Sequence, residues 1–316
     1  MRQALLALLP LLGGAALPEA PYRRPIIDVH LHSYADSGWE TVPMAATTNF
    51  LSAEELKSSS PTSAAAHRAA TIAALKRAGV TLGLVSFDTP ARPFAEEQRT
   101  ADAWRSAGGA LIRAGISDHA LVAGTPPETL AADLRGGRFG QLSEIGLQYH
   151  GLTPDDPKLE PYWALAEAMD VPVGIHMGAG PPDSRAQWPH FRMRFGNPLG
   201  LEEVLVRHPK LRLWFQHGGW PYLAETKAIL EQYPNVYLDV SAIDWVLPPA
   251  EFQSHLKALV TAGFADRLMY GSDQMLWPQA IPKSIAAINA CAFLTTAQKK
   301  AIFHDNAVRF FRLTGV

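Results

Sequence analysis

The chain has 316 residues, and its 47% hydrophobic and 18% charged content is that of a globular protein with a substantial core. A formal net charge of -2 offers no global attraction to a nucleic-acid backbone, which disfavours nucleic acid as substrate or partner. Cys291 is the single cysteine, so an intrachain disulfide and a multi-thiolate metal site are both excluded.

At the N-terminus, Arg2 precedes an apolar stretch from Ala4 to Leu17 that is interrupted by Pro10, Gly13 and Gly14. It is too short to be a stable membrane span and ends in small residues, so it reads as a secretory signal cut before Leu17, after Gly14 and Ala16. This predicts a leader over 1–20, a barrel over 21–316 and a periplasmic or secreted protein. The alternative is a docked or disordered segment of a cytoplasmic one.

From Pro25 the chain alternates short apolar runs with amphipathic stretches, the pattern of a βα repeat with a parallel sheet. Strands are predicted over 26–30, 81–87, 111–116, 141–147, 171–176, 211–216, 236–240 and 267–271. The polar, irregular segment 33–65 reads as a long loop with some helix, bordering the active face. Leu159, Tyr162, Ala166 and Met169 recur at helical intervals, as do Leu223, Thr226, Leu230 and Tyr233. Asn197-Pro198 suits a helix start, and Thr295-x-x-Gln298 resembles a capping box. Eight strands without a dividing linker predict a single-domain (β/α)8 TIM barrel.

His30 and His32 stand two residues apart on the first strand, so both imidazoles face one side. Glu144, His176, His217 and Asp273 each close a later apolar run, at the strand ends where a parallel barrel keeps its chemistry. A lone strand-end histidine is more often a hydrogen-bonded core residue. Four of them in order with an aspartate point instead to a metal centre. Asp28 shares the inward parity of His30 and reads as structural. His67, His208, His255 and His304 fall on predicted helices or their ends, where solvated or capping roles are expected; His119 has no assigned role.

Together these motifs resemble the amidohydrolase superfamily, in particular the amidohydrolase-related branch with its lactonases and metal-dependent decarboxylases. The resemblance runs from Ile26 to Leu313 and includes the closing Ile302-Phe-His-Asp-Asn-Ala-Val-Arg-Phe-Phe; Glu144-Ile-Gly-Leu also resembles a motif of TatD-like nucleases. It implies that His30, His32 and Asp273 hold one divalent ion and that His176 and His217 hold a second, bridged by Glu144. In the other arrangement of the branch, His30, His32, His176 and Asp273 hold a single ion and His217 acts as base or electrophile. Zinc suits these ligands, with manganese or iron as alternatives. No lysine closes the fourth predicted strand, so a carbamylated-lysine bridge is excluded. The implied activity is metal-assisted attack of water on an ester, lactone or amide carbonyl of a small molecule, lactones foremost, with Asp273 and His217 catalytic and Asp273 moving the proton. Decarboxylation of an aromatic or unsaturated acid is the rival chemistry, and a catalytically silent metal- or ligand-binding barrel the rival of another class.

Trp39, Trp188, Trp220, Trp245 and Trp277 follow predicted strands, which places them at the rim and predicts a largely aromatic pocket. Tyr149 and His150 are expected to reach substrate from the fourth loop, and Gln274 to hydrogen-bond it. The insertion 178–197 carries Trp188, Arg192 and Arg194, and an arginine there is a candidate clamp for a substrate carboxylate. Oligomeric state stays open, a homo-oligomer included.

Overall fold

The computed structural model describes residues 21–36, 39, 61–88 and 93–315. The expected leader and most of the 33–65 loop lie outside them.

Eight strands follow one another round a parallel sheet in the order β1 to β8. They are β1 (Ile26–Ser33), β2 (Val80–Phe87), β3 (Ile112–Ile116), β4 (Gln141–Ile145), β5 (Val173–Ile175), β6 (Leu213–Phe215), β7 (Tyr237–Asp239) and β8 (Leu268–Met269). Past the short β8, the Tyr270 carbonyl accepts from Val29 N–H at 3.0 Å and Asp273 N–H donates to the His30 carbonyl at 2.9 Å, bringing the last strand against the first. The architecture is a single-domain (β/α)8 TIM barrel. All eight expected strands are present. Several are shorter than expected, with β5, β6, β7 and β8 trimmed at both ends.

β1 shows why this sequence closes as it does. Ile27 and Val29 join Leu82, Leu84, Trp214, Met269, Phe310 and Phe311 in an apolar cluster against the C-terminal helix Asn306–Phe311. The alternating Asp28, His30 and His32 are buried polar groups, as period-two geometry requires. Asp28 is structural: its Oδ1 accepts from Ser272 N–H (2.9 Å) and His30 N–H (3.2 Å), tying β1 to the turn after β8. Burial pushes its carboxyl up to about 7.

Helices cover the outside. Ala64–Ala78 starts at Ser63, whose hydroxyl accepts from Ala66 N–H, and stops at Gly79 in the left-handed region that glycine allows (φ 78°). Glu160–Ala168 and Leu223–Gln232 match the two periodic stretches, and Trp163 and Leu230 of their inner faces are fully buried. Asn197 caps a short 3-10 turn over Pro198–Leu201, and Thr295 with Gln298 forms the expected capping box. Three helical histidines depart from expectation because they lie on buried faces. His67 Nε2 is 2.7 Å from the Met275 carbonyl, His208 sits between Glu160 (2.9 Å) and Glu167 (3.3 Å), and His255 Nε2 is 2.9 Å from the Gly218 carbonyl, behind His217. Among the described residues, no helix is long and apolar enough to cross a membrane.

Candidate metal centre and active site

The strand-end residues converge on Glu144. Its Oε2 lies 3.2 Å from His30 Nε2 and 3.3 Å from His32 Nε2, while its Oε1 lies 3.1 Å from His217 Nε2 and 3.8 Å from His176 Nε2. Asp273 joins the first pair, with Oδ1 2.6 Å from His32 Nε2 and 3.9 Å from His30 Nε2, and its Oδ2 lies 3.7 Å from His217 Nδ1. One carboxylate therefore stands between two histidine pairs.

A second layer fixes how these rings present themselves. Ser241 Oγ donates to Asp239 at 2.6 Å and lies 2.8 Å from His30 Nδ1 and 3.2 Å from His217 Nδ1. Asp88 Oδ2 lies 3.1 Å from His32 Nδ1. With Nδ1 engaged behind, His30, His32 and His217 offer Nε2 towards Glu144, the arrangement of histidines oriented by neighbouring carboxylates. His176 differs: its buried Nδ1 has no partner among the described residues, and its Nε2 lies 3.1 Å from the Tyr149 hydroxyl. His217 (φ 58°) and Asp273 (φ 47°) both sit in the left-handed backbone region, where non-glycine residues are strained, and such strain gathers at functional sites.

The electrostatics call for positive charge. Burial acts against a charged His30, yet Glu144 and Asp273 hold its pKa well above the ordinary value; His32, likewise buried, is pushed up to about 10 by Asp273. Burial also opposes ionisation of Glu144, and the surrounding histidines, His30 first, keep it well below the usual carboxylate range. Burial and the neighbouring His217 push His176 down to about 3, leaving a neutral imidazole. Buried Asp273 Oδ1 lies close to His32 Nε2 without a hydrogen bond of sound geometry, an orphaned carboxylate oxygen that suits a cation. The donor set fits divalent metal, as imidazole and carboxylate groups with converging lone pairs do.

Above this cluster opens a cavity of about 240 Å³ lined by Tyr149, His150, Trp188, Trp220 and Trp277 among the predicted substrate residues, with Phe87, Ile243, Val246, Leu247 and Leu276 adding apolar wall. Four predicted substrate contacts are elsewhere. Gln274 is buried, accepting from His32 N–H (2.9 Å) and donating to the His32 carbonyl (2.8 Å), so its amide is spent gripping β1. Trp245 is buried behind Trp277 and donates to the Ser272 carbonyl at 2.7 Å. Arg192 is exposed and bonds the Pro189 and Phe191 carbonyls of its own loop, and exposed Arg194 lies over the Phe195 ring at 4.7 Å. The loop turns both arginines outward because its base is pinned. Gly178 N–H donates to the Gly196 carbonyl (2.7 Å), Ala179 N–H to the Trp220 carbonyl (3.0 Å) and Arg192 N–H to the Gln148 carbonyl (3.0 Å). Gly178 has φ 100°, and a Cβ there would strike the Trp220 carbonyl.

Asp88, Asp118, His119, Asp239 and Ser241 are site residues that sequence reasoning did not single out. Ser117-Asp118 at the end of β3 reads as an ordinary helix start, and no histidine marks the end of β7. A rule that collected every polar residue closing an apolar run would have found Asp88, Asp118 and Asp239.

A family model described as Amidohydrolase matches residues 27–313. Among curated proteins, Protein fluG of Emericella nidulans is 24% identical over 108 residues, 34% of this chain and only 12% of that protein's length. Among solved structures, 2,6-dihydroxybenzoate decarboxylase from Rhizobium is similar with TM-score 0.62 and 17% identity, covering 91% of this chain and 98% of that one. A probable 2-pyrone-4,6-dicarboxylic acid hydrolase from Acinetobacter baumannii, with citric acid bound, gives 0.61 and 15% over 91% and 99%. The 5-carboxyvanillate decarboxylase of Novosphingobium aromaticivorans, complexed with manganese and a nitrobenzoic acid, gives 0.61 and 15% over 91% and 96%. At these identities the likeness is one of fold.

Proposed function

Because the chain belongs to the amidohydrolase family, we propose that it is a metal-dependent hydrolase that directs water onto an ester, lactone or amide carbonyl of a small, largely apolar molecule. The observation that carries this reading is Glu144, whose two oxygens face different histidine pairs and thereby join two potential ion sites. His30, His32 and Asp273 would hold one ion and His176 and His217 the other; zinc suits the donors, and manganese or iron do so too. Such ions supply Lewis acidity towards the carbonyl and acidify water.

The chain's own groups then move the proton. Asp273 is fixed by its backbone bond to His30 and kept ionised by His30 and His32 against the effect of burial, so it accepts a proton from water and returns it to the leaving group. In the single-ion arrangement, where it is not spent on metal, His217, oriented from behind by Ser241 on the opposite side of Glu144, would steady the developing negative charge. The aromatic walls of Trp188, Trp220 and Trp277 exclude water from the rest of the substrate. Those same walls favour a second reading, loss of carbon dioxide from an aromatic acid, which uses the same donors.

Elemental mass spectrometry of the purified protein tests the proposal. Two ions per chain, falling towards one in Glu144→Gln, are expected. One ion per chain, indifferent to Glu144→Gln and lost in His30→Ala, would overturn the bridged site and favour decarboxylation. Product analysis separates the reactions, a new acid against carbon dioxide.

A further inference from the structure

Next to the Glu144 cluster, the same cavity has a second polar corner built from Asp118, His119 and His150. Buried Asp118 Oδ2 accepts from Gly146 N–H at 3.1 Å and lies 3.1 Å from His150 Nε2, and its Oδ1 is 3.9 Å from His119 Nε2. The two imidazole rings meet edge to face at 5.8 Å. Both rings are partly exposed at the cavity, and His150 Nδ1 has no partner among the described residues. The single turn Leu147–His150 delivers Tyr149, whose hydroxyl reaches His176, and the next residue, His150, to Asp118. Gly146 makes this close packing feasible, since a Cβ there would come 2.8 Å from the Tyr149 ring and 3.1 Å from Asp118 Oδ2.

Among the described residues lining the cavity there is no lysine or arginine, so outside the Glu144 cluster the groups able to carry positive charge are His119 and His150. A protonated histidine whose Nε2–H is held by a buried carboxylate keeps its second N–H free to donate. Burial works against a charged His150, and Asp118 more than offsets it, raising its pKa.

We infer that His150 and His119, backed by Asp118, form a subsite for one carboxylate of a small, otherwise apolar or aromatic substrate whose reacting carbonyl sits at the Glu144 cluster. The inference deepens the hydrolase reading and rests on it for the reaction, while the carboxylate binding stands by itself. One charged corner accommodates a monoacid. A second carboxylate placed away from both this corner and the metal centre would lie against apolar wall without a partner, at a large desolvation cost.

The test uses the full chain loaded with zinc or manganese and checked for metal content. Hydrolysis of phenyl acetate is compared with that of 4-acetoxybenzoate, the same ester carrying a carboxylate. The wild-type kcat/KM ratio is expected to favour the charged ester by about tenfold, the scale of one hydrogen bond to a charged group. In His150→Gln and Asp118→Asn the ratio is expected to fall towards one, whatever happens to the absolute rates. In parallel, calorimetry measures benzoate and benzyl alcohol binding. The expected result is benzoate weakened about tenfold in His150→Gln and the alcohol unmoved. An unchanged ester ratio with unchanged benzoate affinity in His150→Gln overturns the inference. If neither ester is hydrolysed but benzoate binding depends on His150, the subsite stands and the hydrolase reading falls.

Discussion

The seam where β8 meets β1 and the wall formed by the ends of β3 and β4 both carry buried polar groups, but they grip the backbone differently. At the seam, a neutral amide works beside a carboxyl: Gln274 exchanges two hydrogen bonds with the main chain of His32, and Asp28 accepts from His30 N–H and Ser272 N–H. At the wall, a carboxyl does it: Glu97 accepts from Ser117 N–H at 2.6 Å and from the Ser117 hydroxyl at 3.2 Å, immediately before Asp118. The seam holds the residues proposed to move protons in part with a clamp that does not titrate. The wall holds the residues proposed to read the substrate with a clamp that does.

The largest effect is expected at the seam. Asp273→Asn should leave the barrel folded and metal bound while lowering turnover by about a hundredfold to ten-thousandfold, the range for loss of a positioned acid-base group; near-normal activity in a metal-loaded variant would break the assignment. Gln274→Ala should come next. It leaves the His32 N–H and carbonyl unpaired in the interior, so urea unfolding should show a loss of about 1–3 kcal/mol for each group, with turnover reduced as His32 loosens. If stability barely moves, the amide is not the clamp.

The wall should show itself through pH. Burial raises the Glu97 carboxyl from about 4.5 to about 8. The folded state therefore keeps a proton that the unfolded chain has already released, so stability should be fullest below pH 4.5 and decline as pH rises through the window up to about 8. Glu97→Gln, which keeps the shape and cannot ionise, should lessen that decline in melts taken across the window, the part due to Asp28 remaining below about pH 7; an unaltered slope would place its origin elsewhere. The smallest effect is expected from Arg192→Ala and Arg194→Ala. Both arginines are exposed and turned to their own loop, so kcat/KM should stay within about twofold, as for surface changes generally.

The sequence made the seam far more legible than the wall. A His-x-His on a strand announces its own geometry, because period-two alternation leaves both rings only one common side, and the apolar run closed by Asp273 displays the seam's other half directly, whereas of the wall Glu144 alone stood out in this way. Asp118 and His119 begin a short helix, and an acidic residue after a serine is too common a helix start to suggest a pocket. Arg192, Arg194 and Gln274 were misplaced for a different reason. Chain position put them near the cavity, whereas side-chain direction depends on which backbone groups are already spoken for, and that is a property of the folded loop. His67, His208 and His255 teach the same lesson on helices, where periodicity finds a buried face but does not reveal that a histidine on it has found a carbonyl or carboxylate partner.

The excursion between Gly178 and Gly196 is latched at its base to itself, to Gln148 and to the Trp220 carbonyl, and it contributes Trp188 to the cavity. For an engineer this makes it a cassette: a replacement of different length or composition, spliced between the two latch glycines, changes the ceiling of the cavity and leaves the floor of histidines and carboxylates untouched. Selectivity in this scaffold is thus open to transplantation one loop at a time, with the hinge glycines as the cutting sites.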